Sequence, residues 1–110
     1  MGRLSQGQIW WANLPAPAGR RPVLVLTRSD ALSRLSNATV APLTRSVREI
    51  PSEVPLSPAA DGVPTECAVS LENILTVPRD RLEERIVSLG SERMEQVFDA
   101  ISYVFAMRRR

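Results

Sequence analysis

Short β-rich runs separated by turns containing proline or glycine occupy the first 90 residues, and helical spacing appears only after them. GQIWWANL (7–14) is bounded by Gly7 and the PAPAG turn, and RPVLVL (21–26) and NATVAPL (37–43) follow it. The connections are turns or short helical segments, whereas parallel strands need full crossover helices. The pattern therefore argues against a doubly wound α/β fold.

The segments between the clearest strands carry weaker signals. They predict a short helix at SDALSRL (29–35), an irregular edge strand or hairpin arm at IPSEVPLSP (50–58), a turn at AADGVP (59–64), the longest strand at TECAVSLENILTV (65–77), a helical first turn opening PRDRLEER (78–85) and a short strand at RIVSLG (85–90). These segments bring the prediction to five to seven short strands and two small helices.

In the segment that begins at Ser91 the apolar residues recur with a different period from that of the strands. From Ser91, a plausible N-cap, the apolar side chains recur at helical spacing, and RRR (108–110) stands near the C-terminal end, where positive charge is favoured. The fold class predicted for residues 1–110 is one mainly β domain with helices (α+β). Its architecture would be a small, strongly bent barrel or half-barrel with a C-terminal amphipathic helix packed on it.

The sequence lacks the two kinds of segment that would direct the protein to a membrane or to secretion. No apolar run approaches the ~20 residues of a membrane helix, and the N-terminal segment lacks the apolar stretch of a signal peptide. The single cysteine, Cys67, cannot staple the fold by itself. We therefore expect a cytoplasmic protein and interpret Cys67 as a small core residue.

The net charge of +2 conceals an uneven distribution. Residues 1–48 hold seven arginines against one acid, Asp30, giving +6, whereas residues 49–107 hold four arginines against eleven acids, giving −7. A basic half beside an acidic half indicates a surface that faces a polyanion. All fourteen cations are arginines, so a GC-rich genome is an alternative explanation of the arginine content.

Several common catalytic devices are excluded. The chain has no histidine, so it has no imidazole base, no histidine metal ligand and no Ser-His or Cys-His pair. A single cysteine without histidine argues against a zinc site, and no glycine-rich phosphate loop is present. Arginines, hydroxyls and carboxylates remain, and we expect no metal and no cofactor.

Arg21 and Thr44 are the candidates that these exclusions leave. Arg21 stands where a turn runs into the second strand, and Thr44 follows the third. If the two strands pair in a suitable register, a guanidinium and a hydroxyl would converge and form a site for a phosphate or an oxyanion. Each residue alone is more commonly a solvated strand end, and the sequence does not fix the register.

The order of the blocks GQIWWANL, GRRPVLVLTRSDAL, NATVAPLTR and GVPTECAVSLENILTVPRDRLEERI resembles the MazF/PemK toxin family. The resemblance covers about residues 5 to 107. It implies an SH3-like, partly open β-barrel with a C-terminal helix, usually a homodimer, and an antitoxin partner with an acidic, extended C-terminal segment. It also implies metal-independent cleavage of single-stranded RNA at short motifs, by attack of a 2′-hydroxyl that leaves a 2′,3′-cyclic phosphate and a 5′-hydroxyl.

The resemblance assigns roles to named positions. Arg21 and Thr44 correspond to the catalytic pair, and Glu72 corresponds to the acid that the Kid-type relatives use as acid/base, whose pKa burial would raise. The arginine that those relatives carry two residues earlier is Ser70 here, so their acid/base pair does not transfer whole. Asn73 matches an RNA-facing position.

Other features concern RNA contacts. We expect RNA contacts from Arg20, Arg45, Arg48, Ser70 and Asn73. The first loop, PAPAGR, is shorter than in relatives, which puts the RNA motif in doubt, and both tryptophans are interpreted as core rather than base-stacking.

Two alternatives stay open: a CcdB-like toxin that grips DNA gyrase without RNA chemistry, and a catalytically inactive paralogue that binds RNA or antitoxin.

Overall fold

A computed structural model describes residues 4–107. Its strands are β1 (Gln8–Asn13), β2 (Arg20–Val25), β3 (Asn37–Thr44), β4 (Glu53–Leu56), β5 (Cys67–Ser70), β6 (Leu75–Pro78) and β7 (Leu82–Ser88). Its α-helices are α1 (Ser29–Leu32), α2 (Pro58–Asp61) and α3 (Ser91–Val104), and 3₁₀ turns lie at Leu71–Asn73 and Arg79–Arg81. None of the helices in this range is long and apolar enough to cross a membrane.

The seven strands form one antiparallel sheet in the order β4-β5-β3-β2-β1-β7, and β6 pairs with β3 off this path. β3 is the centre of the sheet because different parts of it pair with β2, β5 and β6. The sheet is not closed between β4 and β7. The predicted mainly β fold class, a partly open barrel with a C-terminal helix, is confirmed.

Two apolar clusters lie on opposite faces of the strands, as period-2 alternation requires. In β1, Ile9 belongs to one cluster, whereas Trp10 and Ala12 belong to the other. In β2, Leu24 lies in the first cluster and Val23 in the second. The alternation that predicted the strands therefore also decides which side chains each face buries.

The terminal helix covers the first of these clusters. Val97 and Ala100 are its buried residues, and α3 packs against β4. The N-cap is Gly90, and no side chain caps the helix, so Ser91 is its first helical residue rather than its cap. The predicted role of RRR (108–110) lies outside the described residues.

The segment 65–77 is not one strand, contrary to the prediction. It divides into β5 and β6, separated by the 3₁₀ turn at Leu71–Asn73. The side-chain amide of Asn73 donates a 2.8 Å hydrogen bond to Ser70 Oγ, which links the two ends of this turn. The turn lets both halves of the segment pair with β3. β5 pairs with the C-terminal end of β3, and β6 pairs with the N-terminal half of β3.

Two smaller predictions also need correction. The turn predicted at 59–64 begins within a helix, α2, which ends at Gly62 with a left-handed φ of +77°. The helix predicted from Pro78 is only a 3₁₀ turn at Arg79–Arg81, because β7 starts at Leu82 and pairs there with Ala12. Local signals favoured a helix, and the pairing with β1 overrides them.

Candidate active site

A groove of about 530 Å³ opens where β2 begins and β3 ends. It is lined by Trp11, Arg20, Arg21, Pro22, Leu43, Thr44, Arg45, Ser46, Pro64, Thr65 and Cys67. Three of these lining residues are arginines and none is an acid. The described lining is therefore cationic, as a site for a polyanion requires.

The strand pairing explains why Arg21 and Thr44 reach the same groove. β2 and β3 pair up to Val23 and Pro42, and Arg21 and Thr44 stand two positions further along their strands. Pro42 has no N–H to extend the ladder, and the pairing between β2 and β3 ends there, whereas β3 pairs on its other edge with β5 through Thr44 and Ala68. The strands thus separate at this end, and the two side chains line the opening.

Arg21 is half-buried, and its Nε is unusual. This nitrogen is fully buried, and no residue in the range 4–107 accepts a hydrogen bond from it. A buried donor without a partner costs about 1–3 kcal/mol. The Nε therefore stays an unpaired donor beneath the surface, and only the rest of the side chain lines the groove.

The Thr44 hydroxyl is oriented by the loop that follows it. Its Oγ1 accepts a 3.1 Å hydrogen bond from the backbone N–H of Ser46. This bond occupies one lone pair of the oxygen and leaves the hydroxyl hydrogen available for donation. Arg21 and Thr44 thus line the same groove, and the Thr44 hydroxyl keeps a hydrogen for a ligand there.

The other predicted arginines differ in their surroundings. Arg45 is exposed and lines the groove. Arg20 also lines it, but its Nε lies 3.3 Å from Glu83 Oε1 and its Nη2 lies 3.8 Å from Glu84 Oε1. The Arg20 guanidinium also stands 4.5 Å from the centre of the Trp11 ring.

Arg48 does not line the groove. Its guanidinium contacts Glu53 Oε2 at 2.7 and 2.8 Å, and its backbone N–H donates to Glu53 Oε1 at 3.0 Å. The Glu53 side chain is wholly buried, so Arg48 is engaged in neutralising it. Sequence reasoning missed Glu53, and its only signal was an acid within the weak alternation of residues 50–58.

Ser70, Glu72 and Asn73 are also absent from the groove lining. Ser70 is buried and accepts its hydrogen bond from Asn73, while Glu72 is exposed on the 3₁₀ turn. The burial expected of Glu72 is therefore not found, because the turn at Leu71–Asn73 carries its side chain into solvent.

The two tryptophans have different positions. Trp10 is 3% exposed and its indole N–H donates to Gln8 Oε1, which confirms it as a core residue. Trp11 is half-buried and lines the groove, so its interpretation as a core residue is only partly right. Adjacent residues of a strand point to opposite faces, and no composition signal distinguishes which face borders a groove.

Cys67 is buried, as predicted, and also forms part of the groove. Burial raises the pKa of its thiol to about 11, and the negative charges of Glu66 and Asp61 contribute. Among residues 4–107, no group of three cysteine, aspartate or glutamate side chains is placed to hold a metal ion.

Comparison with known proteins agrees with this geometry. A family model described as a PemK-like, MazF-like toxin of type II toxin–antitoxin systems matches residues 5–105. The chain is 39% identical over 97 residues to a probable endoribonuclease MazF5 of Mycobacterium tuberculosis, covering 88% of each chain. The solved structure of M. tuberculosis toxin MazF-mt6 is similar, with a TM-score of 0.84, 34% identity and coverage of 93% of this chain and 99% of that one. An endoribonuclease from a mycobacterial species, solved with its cognate antitoxin, shares the fold at a TM-score of 0.85 and 20% identity, over 97% and 99% of the two chains.

Proposed function

Because this chain belongs to the PemK-like, MazF-like family of type II toxin–antitoxin toxins, we propose that it is a toxin endoribonuclease and that single-stranded RNA is its substrate. The relatives named as endoribonucleases support the enzyme class. The observation that carries the proposal is that Arg21 and Thr44, from two different strands, line one cationic groove.

The proposed reaction is an internal transesterification. The 2′-oxygen of one ribose forms a bond to the adjacent phosphorus, and the bond from phosphorus to the 5′-oxygen of the next nucleotide breaks. Negative charge grows on the non-bridging oxygens during attack, so donors fixed around them stabilise the transition state most. Arg21 and Thr44 donate to these oxygens, and the products are a 2′,3′-cyclic phosphate and a 5′-hydroxyl.

The reaction also requires two proton transfers. The 2′-hydroxyl loses one proton and the departing 5′-oxygen gains one. Arginine is a poor base because its guanidinium stays protonated at neutral pH, and the groove lining contains no carboxylate. We assign both transfers to solvent, and the acid/base role that the resemblance implies for Glu72 would require RNA binding to bring its carboxylate to the groove. This transesterification requires no metal and no cofactor.

Substrate binding would rest on the cations at the groove. Arg45 is exposed there, and its planar guanidinium suits a backbone phosphate. Arg20 would join it once released from Glu83 and Glu84. Arg48, Ser70 and Asn73 are proposed only as peripheral contacts, because they lie outside the lining.

Three further properties belong to the proposal. An antitoxin with an acidic, extended segment would bind the same cationic groove and block it, in line with the toxin–antitoxin family description. The protein would act as a homodimer. Its compartment would be the cytoplasm, where its RNA substrate is found.

The test is cleavage of a long RNA by purified protein with a metal chelator present, followed by sequencing of the 5′-hydroxyl ends. Arg21→Ala should lower the rate about 10²- to 10³-fold without lowering the unfolding midpoint, because it also removes the unpaired buried Nε. Arg34→Ala is the matched control, because Arg34 is exposed and outside the groove. Uncut RNA from the wild-type protein would refute the enzyme, and binding without cutting would favour an inactive paralogue.

A further inference from the structure

Trp11 and Arg20 form a layered arrangement at the groove that the proposed chemistry does not use. Arg20 and Pro22 on β2 and Glu84 on β7 point to the same face of the sheet as Trp11. Trp11 pairs directly with Pro22 and Glu84, and Arg20 is its diagonal neighbour, within reach of a long side chain. The guanidinium accordingly lies over the indole, 4.5 Å from its centre.

The carboxylates that hold Arg20 there are brought together by an irregularity in β7. Trp11 pairs with Glu84 and Ala12 pairs with Leu82, so Glu83 has no partner in β1. Such a bulge redirects the extra side chain. Both Glu83 and Glu84 consequently reach the single guanidinium of Arg20, at 3.3 and 3.8 Å.

We propose that Trp11 is a stacking platform for one base of the RNA substrate, and that Glu83 and Glu84 hold Arg20 over it as a removable cover in the free protein. This inference rests on the proposed function. The indole is half-buried and lines the same groove as Arg21, although the two side chains leave the sheet from opposite faces, so a base stacked on it belongs to a nucleotide near the scissile phosphate. Base–aromatic stacking tolerates every base because each has a π-face.

The cover is weakly held, which makes it exchangeable. The side chains of Arg20, Glu83 and Glu84 are 51%, 45% and 71% exposed, and ion pairs in such positions contribute little. When RNA binds, Arg20 leaves the carboxylates for a backbone phosphate and the base takes its place on the indole. The two glutamates therefore oppose RNA binding, and they do so through Arg20.

Binding to uncleavable RNA tests this inference separately from catalysis. The probe is a single-stranded 2′-O-methyl RNA 12-mer of mixed sequence, whose blocked 2′-oxygen cannot attack. Its dissociation constant is measured by fluorescence anisotropy at fixed salt. Trp11→Ala should weaken binding about five- to hundredfold, and Trp11→Phe should retain most of it. Tyr103→Ala, an exposed aromatic outside the groove, is the matched control and should bind as wild type.

A mutant cycle between the two glutamates and Arg20 tests whether Arg20 covers Trp11 in the free protein. Glu83→Gln/Glu84→Gln should tighten binding several-fold in the wild-type chain and leave it unchanged in an Arg20→Ala chain. An equal gain in both backgrounds would show simple charge repulsion and would overturn the cover.

Tryptophan fluorescence keeps the platform testable if Trp11→Ala unfolds. Stacking should quench the emission of the wild-type protein on adding the 12-mer, but not on adding an abasic strand of the same length and charge. The quenching should be lost in Trp11→Phe. Equal quenching by both strands, or quenching that persists in Trp11→Phe, would overturn the platform while leaving the cleavage result untouched. A wild-type protein that binds neither strand would refute the inference together with the proposed function.

Discussion

Arg48 closes the loop after β3 because both its backbone N–H and its guanidinium donate hydrogen bonds to the buried carboxylate of Glu53. The two partners are unequal, since the Glu53 side chain is wholly buried and that of Arg48 is 57% exposed. Removing the arginine leaves an unpaired charge inside the protein, whereas removing the glutamate leaves a cation that can reach water. The consequences of the two changes should therefore differ.

We predict that Arg48→Met lowers the free energy of unfolding by about 2–4 kcal/mol, toward the cost of stranding a buried charge. Glu53→Gln should cost about 1–2 kcal/mol, because the amide oxygen still accepts from the Arg48 N–H. The double variant should be more stable than Arg48→Met alone. Urea unfolding midpoints measure all three. A double variant less stable than Arg48→Met would contradict this account.

Protonation of Asp61 should contribute to the loss of folding stability at low pH. Burial raises the pKa of Asp61, but the hydrogen bond from Arg93, the bond from the Ser57 backbone N–H and the Arg93 charge outweigh it and lower the pKa below its ordinary value. The folded protein therefore binds this proton less readily than the unfolded chain. The stabilisation is fully present above the unfolded pKa, about 3.9, and is lost as pH falls through the folded value.

Asp61→Asn should accordingly destabilise the protein at pH 7 by about 1–3 kcal/mol and flatten its loss of stability below pH 4. Asp80→Asn, at an exposed 3₁₀ turn, is the matched control and should change neither quantity. Thermal midpoints between pH 7 and pH 3 provide the measurement. An undiminished acid dependence in Asp61→Asn would show that other carboxylates carry it.

The strands of this fold were largely predictable, because period-2 alternation and proline- and glycine-containing turns are local. Where prediction failed, a long-range pairing decided the outcome. The apolar run 65–77 is continuous in sequence, yet it must serve two parts of β3, and only the turn at Leu71–Asn73 permits that. No local pattern carries that requirement.

The candidate site was predictable to a similar degree. Arg21 and Thr44 stand at the ends of two strands that the sequence itself suggested as partners. The residues that surround them depend on features without a sequence signal, such as the β7 bulge that sends Glu83 toward Arg20. For Arg48, which stays a predicted RNA contact, nothing local in the sequence reveals that its guanidinium neutralises a buried acid.

Cys67 should be a slow nucleophile despite its place at the groove. Its thiol has a pKa of about 11 against an ordinary 9.0, so near pH 8 its thiolate is about a hundredfold scarcer than that of an ordinary thiol. Alkylation by iodoacetamide, followed by mass spectrometry, should be slow in the native protein. It should accelerate about tenfold for each pH unit below 11. Rapid labelling at pH 8, at the rate seen in urea, would contradict both the burial and the raised pKa.

Glu72→Gln should leave RNA cleavage nearly intact. Glu72 is exposed on a 3₁₀ turn and is not part of the groove lining, so it is not placed within hydrogen-bond reach of a 2′-hydroxyl held by Arg21 and Thr44. Glu66→Gln, another exposed acid outside the lining, is the matched control, and the two variants should cleave at similar rates. Removal of a general base costs about 10²- to 10⁴-fold. A loss of that size in Glu72→Gln, with Glu66→Gln unaffected, would assign the proton transfer to Glu72 and would require RNA binding to bring that carboxylate to the groove.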